Sequence, residues 1–267
     1  MKSITSKDNQ IYKSALRLTR KKYRDAEGMY LLEGVKPLED AVAQGIHVEK
    51  LIISGNSEAK SGNSEAKSIG IISGDADADM EIVQLEPKLF AELSDTETSQ
   101  GVIAVVRKNS MEPAEFMEAA KGRPIVILDR LQDPGNIGTI IRTAEAAGFG
   151  GIIGIKGTGD IYSPKVVRAA AGSILRMPIL EGVETAEAIE LCRAGRQLVV
   201  SCLEGAVDYR EAKLDGDIAL VVGNEGSGAG EELIAAADTL VKIPMEGEIE
   251  SLNAAVAAGI LMYAGKR

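Results

Sequence analysis

Apolar residues fall along this chain in short runs separated by polar, glycine-rich stretches, and the runs alternate between two periods. From Pro124 onward, four- and five-residue apolar runs predict strands at Ile125–Leu128, Gly151–Ile155, Leu198–Ser201, Ile218–Val222 and Leu240–Ile243. Between them, helical spacing predicts helices over Gly138–Ala147, Pro164–Gly172, Thr185–Ala194, Glu231–Ala236 and Leu252–Tyr263. Strands apolar on both faces that alternate with helices make a parallel sheet covered on both sides, an α/β fold. Ligands of such sheets lie at the carboxyl ends of the strands.

The front of the chain is patterned differently. Residues 10–25 read as one basic amphipathic helix with Ile11, Ala15 and Leu18 at helical spacing. Short strands are expected at Met29–Leu32, Val48–Ile53, Ile69–Ile72, Ile82–Leu85 and Val102–Val106, with helices at Lys36–Gln44 and Pro113–Ala120. This predicts a smaller α/β domain over 1–107, followed by the larger one over 108–267. A perfect tandem repeat, SGNSEAK at Ser54–Lys60 and again at Ser61–Lys67, interrupts the first domain and is expected to be an exposed, mobile insertion.

Composition narrows the function. Aromatic residues make up 3% of the 267 and there is no Trp, so base-stacking RNA platforms are disfavoured and the core must be aliphatic. The formal net charge is -10, yet basic residues dominate the first 36 positions, including Lys7, Lys13, Arg17, Arg20, Lys21, Lys22 and Arg24. That asymmetry fits a localised polyanion-binding face; a solvated amphipathic helix explains the charges equally well. One His and two Cys without a CxxC give no metal cluster, and a reduced, cytoplasmic protein is expected. No signal peptide and no membrane span is expected.

Three loops carry the candidate chemistry, each after an expected strand. The first, DRLQDPGNIG, leads into the helix bearing Arg142; Asn136 stands where an N-cap belongs. An arginine on that helix requires a carboxylate or a phosphate as partner. The second, VVGNEGSG, is a strand-to-helix turn whose glycines let backbone approach a ligand. Its spacing is GxxGxG rather than GxGxxG, and Glu225 within the turn would repel a pyrophosphate, which disfavours a dinucleotide. The third, IPMEGEIESLN, precedes a helix lined by Ala254, Ala255, Ala257, Ala258 and Gly259; Ser251 and Asn253 could be simple caps there.

In this order, DPGNIGTIIRTAEAAGF, VVGNEGSG and IPMEGEIESLNAAVAAGI resemble the three motifs of the SpoU (TrmH-like) family of RNA ribose methyltransferases, within the SPOUT superfamily. YSPKVVRAAAGS is similar to the family as well, and ITSKDNQIYKSALRLTRKKYRDAEGMYLLEG, residues 4–34, resembles its ribosomal-protein-like substrate-binding domain. Departures are small: Ala254-Ala255 where Val-Ser is frequent, and Ala170 where Ser is frequent.

The resemblance implies a C-terminal parallel-sheet domain tied in a deep trefoil knot, a homodimer, and transfer of methyl from S-adenosylmethionine to a ribose 2′-hydroxyl, with ribosomal RNA favoured over tRNA. It implies Gly223, Ile243 and Leu252 in the donor pocket, with Met245 and Cys202 as further candidates. It gives Arg142 the central role, either as proton acceptor or as the group that holds the ribose or phosphate and lowers the hydroxyl's pKa. Asn136 would position Arg142 or the ribose, Glu225 would orient Arg142 or Asn253, and Ser251 with Asn253 would complete the polar wall. Arg168 would hold an RNA phosphate, and Lys21, Lys22 and Arg24 would contribute to RNA affinity. A non-catalytic RNA-binding factor on the same fold is the competing reading; the intact polar set argues against it.

Overall fold

The computed structural model describes residues 2–55, 80–109, 111–193 and 195–265. Beyond Ser54 and Gly55, both SGNSEAK copies lie outside the described residues, as does the strand expected at Ile69–Ile72. The chain divides into two compact units, the first Met1–Lys108 with Tyr162–Arg168, the second Asn109–Ile161 with Ala169–Arg267.

In the first unit, β1 (Lys2–Ile4) is followed by α1 (Gln10–Arg17), α2 (Lys21–Glu27), β2 (Met29–Glu33), α3 (Val35–Ala43), β3 (Val48–Ser54), β4 (Glu81–Leu85), α4 (Pro87–Ala91) and β5 (Val102–Arg107). The sheet order is β1-β4-β3-β5-β2, with β5 antiparallel to both its neighbours. The single helix expected over 10–25 is two. Its first segment closes at Leu18, whose amide bonds the Ala15 carbonyl, and Arg20 is extended before α2 begins. Tyr12, Ala15 and Leu18 bury against Ile52, Val83 and Ile103, so the expected apolar face is present on a shorter helix.

Glu33, at the end of β2, organises the polar stretch before β5. Its carboxylate accepts from Ser94 Oγ (2.6 Å), Thr96 Oγ1 (2.7 Å), Ser99 Oγ (2.7 Å) and the Asp95 amide (3.0 Å). Partial burial alone would raise the Glu33 pKa, but these donors outweigh it and hold the pKa below its ordinary value.

The second unit begins with α5 (Pro113–Ala119), then β6 (Ile125–Leu128), α6 (Pro134–Ala146) and β7 (Gly151–Ile155). The chain then supplies α7 (Pro164–Ala169), most of which belongs to the first unit, and returns with β8 (Ile179–Val183), α8 (Thr185–Arg193), β9 (Gln197–Ser201), β10 (Val207–Asp208), β11 (Ile218–Val222), α9 (Glu231–Ala236), β12 (Thr239–Lys242) and α10 (Ala254–Ala264). All seven strands of its sheet are parallel, in the order β10-β12-β9-β11-β6-β7-β8. Every residue of β6, β7 and β11 is buried, as their uninterrupted apolar runs require. From β6 the chain winds outward through β7 and β8, while β11, β9 and β12 lie on the other side. The order therefore reverses between β6 and β11, and the crevice that such a reversal opens lies beyond their carboxyl ends.

Candidate functional site

The loop after β6 turns into α6 by a cap different from the one expected. Asp133, not Asn136, is the N-cap: its side chain accepts from the Asn136 amide at 2.8 Å, and Pro134 occupies the first helical turn. Proline lacks the N–H that would be orphaned there and has a φ already suited to a helix, so Asp-Pro sets the start three residues before Asn136. Asn136 is thereby released from capping and is buried, 8% exposed.

Its amide joins the other two loops. Asn136 Nδ2 donates to Glu225 Oε1 at 3.1 Å, and Asn136 Oδ1 accepts from Asn253 Nδ2 at 2.8 Å. Glu225 also accepts from the Asp133 amide (3.0 Å) and the Gln132 amide (3.1 Å). Asn253 Oδ1 in turn accepts from Ala255 and Val256 amides and caps α10. The polarity of this row is forced at both ends. A carboxylate can only accept, and Asn253 Oδ1 is committed to helix amides, so Asn136 must present its NH2 to Glu225 and its oxygen to Asn253.

Partial burial would raise the Glu225 pKa; the amides of Asp133, Glu225 itself and Gln132, with the Asn136 side chain, outweigh burial and lower it. Glu225 is therefore a charged tie between loops. It is bonded to neither Arg142 nor Asn253 but to the asparagine between, and the order of the row corrects the pairing expected for it.

Arg142 lies on the solvent face of α6, with Thr139 and Ala146, and among the described residues it has no hydrogen bond or ion pair. No bond joins Asn136 to Arg142; the six-residue spacing puts one in the core and the other on the surface. Ser251 is likewise exposed and unbonded among the described residues.

The residues named for the donor pocket sit at neighbouring strand ends. Cys202, Gly223 and Ile243 directly follow β9, β11 and β12, which are adjacent in the order β12-β9-β11. Gly223 is dictated by packing: a Cβ there would stand 2.3 Å from the Ala229 nitrogen and from the Gly228 carbonyl carbon. The turn folds back on itself, Asn224 and Gly228 exchanging backbone bonds of 2.9 Å, with Gly228 at φ +69°. Ile243, Met245 and Leu252 are each half-buried. Main chain at the strand ends offers backbone hydrogen bonds, and the partly open side chains beside it offer an apolar wall. Burial, and secondarily Glu204, pushes the Cys202 thiol up, which keeps it protonated and removes it as a nucleophile near neutral pH.

Of the basic residues, Lys21 and Lys22 are exposed; Lys21 lies 4.0 Å from Asp25. Arg24 is not on that face. It is 3% exposed and donates through Nη1 to the Leu18 carbonyl at 2.5 Å, closing the end of α1, so its placement as an RNA contact is corrected to a structural one. Arg168 is half-exposed and already pairs with Asp95 Oδ2 at 2.6 Å. An RNA phosphate would have to compete with that carboxylate.

Sequence reasoning missed Asp133, Gln132, Asp129, Arg130 and Asn224, all polar residues within the motif loops. The Asp-Pro dipeptide was a usable signal for the first; the others act through partners some 90 to 100 positions away, which no local pattern reveals. Among the described residues there is no group of His, Cys, Asp and Glu that could hold a metal ion, and no helix long and apolar enough to cross a membrane.

Known proteins share both parts of the chain. The SpoU rRNA Methylase family matches residues 123–263, and the MRM3-like substrate binding domain matches residues 9–104. The 23S rRNA (guanosine(2553)-2'-O)-methyltransferase RlmP of Bacillus subtilis (strain 168) is 32% identical over 263 residues, 98% of each chain. The AdoMet-bound rRNA methyltransferase from Sinorhizobium meliloti superimposes with a TM-score of 0.85 at 32% identity, covering 99% of this chain and 97% of that one. The SpoU methyltransferase AviRb from Streptomyces viridochromogenes, in complex with AdoMet, gives 0.81 at 27% identity over 96% and 97%.

Proposed function

This chain belongs to the SpoU rRNA methylase family, and from that membership we propose which residues do its chemistry and on which RNA. The protein is an S-adenosylmethionine-dependent methyltransferase that modifies a ribose 2′-hydroxyl of RNA. Bound S-adenosylmethionine supplies an electrophilic methyl group on a sulfonium. The main chain at Gly223 and Ile243, with the aliphatic side chains of Leu252 and Met245, would hold it; Cys202 lies at the next strand end. What remains for the protein is alignment of the hydroxyl and management of its proton.

Arg142 is the residue for that task. Guanidinium stays protonated in proteins, so Arg142 acts chiefly by binding: its charge stabilises the oxygen while the hydroxyl proton passes to solvent water at this exposed face. The observation that carries this reading is the contrast between the two polar groups of the site. Asn136, Glu225 and Asn253 are fully engaged with one another, whereas Arg142 is exposed and unpaired among the described residues. The engaged row holds the three loops in register, and Ser251 at its edge contributes a hydroxyl to the substrate side. The front unit supplies RNA affinity through Lys21 and Lys22, with Arg168 completing a phosphate contact when the RNA displaces Asp95.

The substrate is ribosomal RNA, with 23S rRNA the molecule to examine first because the Bacillus relative acts there. The protein works as a cytoplasmic homodimer, in which Val256 and Tyr263, large apolar side chains left 53% and 52% exposed on α10, would be covered by the second copy. Presenting 23S rRNA transcripts and bulk tRNA separately, with labelled donor, tests the substrate: label in 23S alone is expected, and label in tRNA alone overturns it. Sedimentation of wild type beside Tyr263→Glu tests the dimer; a monomeric wild type would refute it.

A further inference from the structure

Asp129 and Arg130, which immediately follow β6, play no part in the chemistry just assigned, yet they join the loops more extensively than any of the residues that do. Asp129 is 1% exposed, and its Oδ2 accepts from the Gly230 amide at 2.7 Å, across 101 positions of sequence. The same carboxylate is gripped in bidentate fashion by its neighbour, Arg130 Nε to Oδ1 at 2.7 Å and Nη2 to Oδ2 at 3.0 Å. Arg130 has φ +58°, a left-handed conformation rare for a residue with a Cβ and one that marks strain held in place by its surroundings.

What holds it is visible in its backbone. The Arg130 carbonyl accepts from Asn224 Nδ2 (2.8 Å) in the loop after β11 and from Gln132 Nε2 (2.9 Å) in its own loop. Its amide donates to Thr158 Oγ1 (3.1 Å) in the loop after β7. Gln132 Nε2 also reaches the Gly157 carbonyl at 2.7 Å. One residue thus bonds three loops through its main chain, while its side chain locks onto the buried carboxylate that secures the far end of the β11 loop at Gly230. The β11 loop is therefore attached at both ends, by Asn224 directly after Gly223, the donor-pocket residue, and by Gly230 where the helix α9 begins.

We propose that Asp129 and Arg130 are positioning residues for the methyl donor: they latch the Gly223–Gly230 turn to the β6 loop and set the shape of the pocket that the turn lines. This rests on the placement of the donor at Gly223 argued above. The pair does not touch the reacting atoms; it acts on donor affinity through the turn. Arg130 is arginine rather than the glycine its φ would favour because only the guanidinium neutralises and orients Asp129.

The test is calorimetric titration of S-adenosylmethionine into wild type, Asp129→Asn, Arg130→Gly and Asn224→Ala, with thermal unfolding of each and with Glu187→Ala, exposed on α8, as a control outside the site. Arg130→Gly keeps all three backbone bonds and relieves the φ, so a merely structural role would leave its donor affinity unchanged or improve its stability. The latch predicts donor Kd raised tenfold or more in Arg130→Gly and Asn224→Ala at a temperature where each is folded. It predicts kcat at saturating donor changed less than threefold, and Glu187→Ala indistinguishable from wild type in donor binding. If Asp129→Asn does not fold, Arg130→Gly and Asn224→Ala, at less buried positions, still decide. Folded variants with wild-type Kd overturn the latch. A wild type that binds no donor overturns instead the placement on which it rests.

Discussion

At Gly223, what the main chain permits and what the site needs coincide. Substitution by Ala would place a methyl 2.3 Å from backbone atoms that cannot move without opening the Asn224–Gly228 turn. Gly223→Ala should therefore cost at least about 1–3 kcal/mol in unfolding free energy, the range for overpacking, and abolish measurable donor binding. Arg142 presents the opposite case, a side chain free of intramolecular duties. Arg142→Ala should leave the melting temperature and donor Kd near wild type and lower turnover at saturating RNA roughly 100-fold or more, the scale of a lost group that stabilises charge developing on an oxygen. Asn136 shows where reading residues locally breaks down. An asparagine ahead of an amphipathic segment is a sound N-cap expectation, but Asp133-Pro134 claims the cap first, and the asparagine's partners are Glu225 and Asn253, 89 and 117 positions away.

Elements are legible in the sequence where burial is uniform and obscure where it is not. The runs IVIL, GIIGI and IALVV are strands with the expected bounds because both faces are covered. The strand Ile179–Val183 leaves no clear signal because Glu181 and Gly182 interrupt its apolar run, and Val207–Asp208 is too short to leave a pattern. At the break near Leu18 no proline or glycine stands between the helices; the Arg24 guanidinium, six residues on, takes the Leu18 carbonyl. The loops behave as one element in their own right, tied by Glu225. Its pKa is lowered in the folded protein, so its contribution is full above the ordinary carboxylate value of 4.5 and is lost as pH falls through the depressed folded value. Donor affinity should therefore be flat from neutral pH to below the ordinary carboxylate value of 4.5 and decline only where Glu225 itself takes up a proton. Glu225→Gln should weaken binding about tenfold at neutral pH, the scale of one charge-assisted hydrogen bond, and remove that decline. Titration of donor binding from pH 7 downward, wild type against variant, checks both.

Across the molecule, the net charge of -10 and an RNA substrate are reconciled only if phosphate contacts are confined. The front unit offers exposed Lys21 and Lys22, while Arg24 has been drawn into the core. Affinity for RNA should fall steeply with salt, and Lys21→Glu with Lys22→Glu should weaken it and reduce the log–log salt slope by about 1–2, near one unit for each phosphate no longer neutralised. Arg24→Ala should instead lower the unfolding temperature and leave the slope of the folded protein alone. Filter binding at several ionic strengths separates the two.

The central claim is that this protein methylates a ribose hydroxyl of RNA with Arg142 at the reacting oxygen. The direct measurement is transfer of labelled methyl from S-adenosylmethionine to unmodified 23S rRNA, followed by nuclease digestion to nucleosides, with Arg142→Ala in parallel. Label recovered in a single 2′-O-methyl nucleoside, and lost in the folded, donor-binding variant, is the expected result. Label on a base, or undiminished transfer by Arg142→Ala at saturating RNA, would contradict it.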